Sequence, residues 1–121
     1  MKVNVKCLLQ STYSLSLLLK EKMSIKTSLD IAIKAKELQP YTEVAEKSRN
    51  DFLKNNGMMD EATNQYKLSA EKQIEFESLL YDEKEINILP FDADILEKLE
   101  DDDVQIAPEV MLNLLFLFPR K

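Results

Sequence analysis

Residues 27–56 read TSLDIAIKAKELQPYTEVAEKSRNDFLKNN, and the fold turns on whether this stretch is one helix. Apolar or small side chains recur at Ile31, Ala35, Leu38, Tyr41, Ala45, Ser48 and Phe52, steps of three or four that hold one helical face. The stripe passes Pro40 in phase. An interior proline removes a hydrogen bond and crowds the carbonyl four residues back, at a cost of about 3 kcal/mol. The unbroken phase favours one kinked helix over two helices divided at Gln39. Thr27 followed by Asp30 resembles a capping box, which predicts the helix start. Gly57, the chain's only glycine, stands just past the last periodic residue and predicts a left-handed helix terminus.

Outward from this element, MMDEATNQ is polar and turn-prone, so the chain reverses after Gly57. Ser69 is the expected cap of a second helix, AEKQIEFESLLYDE, with Ile74, Phe76, Leu79 and Leu80 on or near one face. Together they predict an α-helical hairpin over about 27–83, whose outer end is a protruding arm. Upstream, Val3, Val5 and Cys7 alternate with polar residues, the pattern of a strand at 2–6. From Cys7 the spacing becomes helical through Leu19.

In the last third, Ile86 with Ile88 and Val104 with Ile106 alternate with polar neighbours, predicting two further short strands. With the N-terminal strand they form a small sheet of two or three strands at the hairpin base. FDADILEKLE fits a short helix turning Ile95, Leu96 and Leu99 inward, and Pro108 opens a last helix, PEVMLNLLFLF, where its missing amide costs nothing. The expected fold is a single domain, 1–121, of the α+β class and mostly helical, ending in an acidic subregion at 84–121.

Composition narrows the chemistry. A chain of 121 residues with 45% apolar content has the size and make-up of one globular domain, and one glycine with four prolines disfavours a sandwich or barrel. The net charge of −6 disfavours general nucleic-acid binding, which relies on cations displacing counterions. There is no histidine, which removes Ser-His and Cys-His catalysis within the chain and the commonest transition-metal ligand. Cys7 stands alone, so no intrachain disulfide forms; it reads as a small core residue of a reducing compartment. Lysines before an apolar run at the start imitate a secretory signal, but Gln10, Ser11, Thr12, Ser14 and Ser16 interrupt that run, and a signal is not expected. No stretch reaches the 18 to 20 apolar residues that span a bilayer.

Asp92, Asp94 and the run Asp101–Asp103 resemble hard-cation ligands only superficially, because FDADILEKLEDD lacks the turn glycine of a calcium loop. Phosphate-cradling loops need several glycines. No catalytic, cofactor-binding or metal-ligating residue is assigned, and neither an enzyme nor a cofactor is expected.

Two surfaces remain. The last helix is apolar almost all round, and Met111, Leu114, Leu115, Phe116 and Phe118 are expected to bind a partner or a second copy of the chain, since small domains bury a limited share of their surface. Charge is the other signal. Residues 1–54 carry ten bases against six acids, about +4, and residues 82–109 carry two bases against eleven acids, about −9. Asp101, Asp102 and Asp103 are the expected acidic contacts with a basic partner.

The order of segments, from MKVNV through LLLKEKMSIKTSLDIA and KSRNDFLKNNG to EINI and QIAPEVMLNLLFL, resembles a group of small, uncharacterised proteins of Gram-positive bacteriophages and prophages. That resemblance implies a host-cytoplasmic or particle-borne protein that binds other proteins, and it supplies no site residues. Two functions are expected in turn: a structural, assembly or accessory phage component acting through itself (a homo-oligomer) or another phage or host protein, and alternatively an acidic inhibitor of a host enzyme or defence protein. Neither engages nucleic acid or membrane.

Overall fold

A computed structural model describes residues 1–119, so the last two residues of the 84–121 subregion lie outside the described part. The order is β1 (Lys2–Asn4), α1 (Val5–Leu18), α2 (Ile25–Asn56), β2 (Met58–Asp60), β3 (Gln65–Lys67), α3 (Ala70–Tyr81), β4 (Glu83–Glu85), α4 (Ile95–Asp101), α5 (Pro108–Asn113) and a 3-10 turn at Leu115–Leu117. The protein is mostly helical α+β.

The long helix is continuous through Pro40 for 32 residues. Its buried face is Thr27, Ile31, Leu38, Thr42 and Ala45, which keeps the predicted helical spacing. Both ends differ from expectation. The cap is Ser24, whose hydroxyl accepts from the Thr27 amide at 3.3 Å, so Thr27 lies inside the helix. Asp30 closes no capping box; its carboxylate takes Lys98 Nζ at 2.7 Å and ties α4 to α2. Gly57 has φ −98° and ψ 159°, an extended geometry. Glycine is needed there for space, since a Cβ would stand 2.7 Å from the Leu53 carbonyl oxygen and 3.1 Å from Tyr66 Cβ. Gly57→Ala is expected to cost about 1–2 kcal/mol through overpacking, read as a lower unfolding midpoint with helix content retained.

The reversal beyond Gly57 is a two-stranded ribbon, with Met58 opposite Lys67 and Asp60 opposite Gln65. Asn64 turns it at φ 56° and donates its amide to the Asp60 carbonyl at 2.7 Å. Lys67 beside Asp60, together with the Ala62 amide, holds the Asp60 carboxyl below its ordinary range. Helix α3 is capped as predicted, with Ser69 accepting from the Lys72 amide at 3.3 Å. Phe76 meets Phe52 of α2 at 5.6 Å between ring centres. Ile74 faces solvent, because its helical position is diametrically opposed to that of Phe76 and Leu79.

At the base, β1 pairs antiparallel with β4, with Lys2 opposite Glu85 and Asn4 opposite Glu83. The Ile86 amide extends the ladder to the Met1 carbonyl at 2.9 Å, after which Ile86, Ile88 and Phe91 run into the core. Among the described residues this sheet has two strands; Val104–Ile106 is not one of them. The reason is the end of α4. Asp103 takes φ 55°, its amide bonds the Glu100 carbonyl at 2.9 Å, and the Val104 amide bonds the Leu99 carbonyl at 3.0 Å. This is a Schellman terminus with an aspartate in the left-handed place, and it removes the Val104 amide from any ladder. The expected interior residues of α4 are placed as predicted for Ile95 and Leu99, with Leu96 partly buried.

The last segment is not one helix. Pro108 occupies the first turn of α5, but α5 ends at Asn113 and a 3-10 turn follows. The change of helix type lets Leu114, Leu117 and Phe118 all point inward, and Phe118 lies 5.5 Å from Phe91 between ring centres. Asn113 Nδ2 donates to the buried Ser14 hydroxyl at 3.0 Å, which fixes α5 on α1.

Candidate interaction surfaces

The apolar residues expected to meet a partner divide between core and surface. Leu114 is 0% exposed and Phe118 is buried, so both belong to the chain's own core, which corrects the expectation for them. Met111 and Phe116 are half-buried against that core, and Leu115 is 50% exposed. Leu115 and Phe116 border a shallow depression of about 400 Å³ shared with Met1 and Pro90. The segment is hydrophobic all round because its two helix types turn successive residues to α1, to Phe91 and only then outward.

The acidic trio is also divided. Asp101 is exposed. Asp102 accepts the Ser24 amide at 3.0 Å, and hydrogen bonding from the Thr27 hydroxyl and then that amide holds its carboxyl below the ordinary range. A carboxylate at the start of α2 is favoured by the helix dipole as well. Asp103 is the left-handed terminus of α4 described above. Two of the three therefore have structural work to do. With the Asp102 carboxyl depressed in the folded state, its contribution is present above the ordinary aspartate range and fades as pH falls through the lower folded value. Asp102→Asn is expected to flatten that acid limb of the stability–pH curve while leaving the neutral-to-alkaline limb parallel to wild type, as measured by thermal melts between pH 2 and 8.

Other ionic residues are compensated. Lys34 donates to the Leu89 carbonyl at 2.8 Å and to Glu37 at 3.2 Å, and Lys98 bridges Asp30 and Asp94. These pairs line a depression of about 230 Å³ with Asp92 and Phe91, so its acidic character is largely neutralised. Among the described residues no three His, Cys, Asp or Glu side chains are grouped for a metal ion. Cys7 is half-buried and burial pushes its thiol up, the direction opposite to nucleophilic activation.

Two exposed apolar surfaces went unread in the sequence. Along the outside of α2 lie Ile25, which is 86% exposed, Leu29, Ile33 and Val44, on the face opposite Ile31 and Leu38 at 100° per residue. At the ribbon tip lie Met58, which is 79% exposed, Met59 and Tyr66. The steps of four from Ile25 to Ile33 were a legible second stripe; the inner stripe masked it. Among the described residues no helix is long and apolar enough to cross a membrane. Comparison with protein-family models, with curated proteins and with solved structures gives no match.

Proposed function

We propose that this protein is a non-catalytic interaction module of the bacteriophage type, a structural, assembly or accessory component that works in the host cytoplasm or in the particle by self-association or partner binding. The observation that carries the reading is the second apolar face of α2, continued by Met58, Met59 and Tyr66 at the tip of the arm. A core that already holds Ile31, Leu38, Leu114 and Leu117 at 1% exposure or less does not need those residues. Large exposed apolar patches mark interaction surfaces more often than they persist unpartnered.

The test is light scattering of the full chain over a hundredfold range of concentration, with chemical cross-linking in infected cells alongside. Association, or a phage or host protein cross-linked to the chain, is expected for wild type and is expected to be lost in Leu29→Asp and in Met58→Asp. A concentration-independent monomer that cross-links to nothing would overturn the reading.

A further inference from the structure

Helices α1 and α2 are antiparallel neighbours joined by a short turn, and α5 is fixed to α1 through Asn113 and Ser14. Elsewhere along the pair runs a groove of about 490 Å³. Leu15 and Leu38, both buried, form its floor, and Thr12, Ser16, Ala32 and Ala35 form its walls. Walls of small side chains allow the backbone of a third helix to approach closely and seat its ridge between the two.

The rim is charged in a fixed order. Lys36 stands at one position, with Glu43 and Glu46 seven and ten residues further along α2. None of the three is in an ion pair among the described residues, and Glu43 accepts only the Gln39 amide, at 2.8 Å. At 1.5 Å per residue the cation and the carboxylates are about 10 and 15 Å apart. Pro40 has no amide hydrogen for the Lys36 carbonyl, so the cationic end also offers a backbone acceptor.

We infer that this groove binds an amphipathic helix of a protein partner, one that presents a small-residue and leucine stripe to Leu15 and Leu38, a carboxylate to Lys36 and arginine or lysine side chains to Glu43 and Glu46. Helix-in-groove recognition reads an apolar stripe for affinity and flanking charge for register. The inference rests on the interaction reading above and names its partner class.

The probe is a 15-residue helical peptide with an Ala/Leu stripe, one Glu, and Arg seven and ten residues from it, supplied in both chain orders, together with its charge-reversed counterparts. Binding to the full chain is followed by fluorescence anisotropy, with circular dichroism confirming that each protein variant is folded. Wild type is expected to bind one order of the first peptide at least tenfold more tightly than the charge-reversed form. Ala32→Trp, which fills the groove from an exposed wall position, is expected to weaken that binding at least tenfold. Glu43→Lys with Glu46→Lys is expected to reverse the charge preference. Failure of both orders to bind wild type, or unchanged affinity in Ala32→Trp, overturns the inference. If the chain self-associates or cross-links to a partner equally well with Ala32→Trp, the groove is excluded while the interaction reading stands.

Discussion

Leu114→Ala is expected to lower stability by about 2–5 kcal/mol, the range for a leucine removed from a close-packed site that collapses only partly. Its neighbour sets the contrast. Leu115 is half exposed where Leu114 is fully enclosed, and Leu115→Ala is expected to shift stability by no more than about 0.5–1 kcal/mol, as surface substitutions do. Denaturant unfolding of the two variants at equal protein concentration measures both. The pair separates two accounts of the apolar C-terminal segment. If it were chiefly an interface, the order would follow oligomer formation and change with protein concentration. With Leu114 and Leu117 in the core, the loss in Leu114→Ala is expected at every concentration.

Pro40→Ala is expected to stabilise the chain by about 1–3 kcal/mol. Proline in a helix interior is about 3 kcal/mol less favourable than alanine, and α2 carries that burden because Ile31 and Leu38 on one side of Pro40 and Thr42 and Ala45 on the other are all buried. Pro40 itself is exposed, so its ring contributes little packing, and alanine restores an amide donor for the Lys36 carbonyl. The unfolding midpoint measures the gain. An unchanged or lower midpoint would mean that the bend proline imposes is required to seat both halves of the buried face.

These two positions show how sequence and structure share the information. Pro40 was correctly read because the stripe around it is local: residues three and four apart share a face whatever the helix packs against. The cap at Ser69, the inward turn of Ile95 and Leu99 and the opening of α5 at Pro108 are of the same kind. Leu114 was misread because helical pattern alone gives an apolar segment no direction. The switch from α-helix to 3-10 turn after Asn113, set by contacts with Ser14 and Phe91 far away in the chain, decides which residue faces inward.

The acidic run and the glycine teach the same lesson from the other side. Asp101–Asp103 is a charge cluster in sequence, yet Asp102 meets Ser24 across 78 positions, and Asp103 takes the left-handed conformation that Gly57 was expected to hold. Gly57 answers instead to the nearness of Tyr66 across the ribbon. Neither role has a local signature, because each depends on what the fold brings within a few ångströms.

By itself the sequence determined the long helix through residue 56, the caps, the reversal after Gly57, the N-terminal strand and the mostly helical α+β class, since all of these follow from spacing, turn chemistry and composition. Only the tertiary structure decided that Val104 to Ile106 would not be a strand, that Leu114 and Phe118 would lie in the core, and that a second apolar face of α2 and the α1–α2 groove would stay open. Periodicity fixes which residues share a face; which face is covered depends on long-range packing.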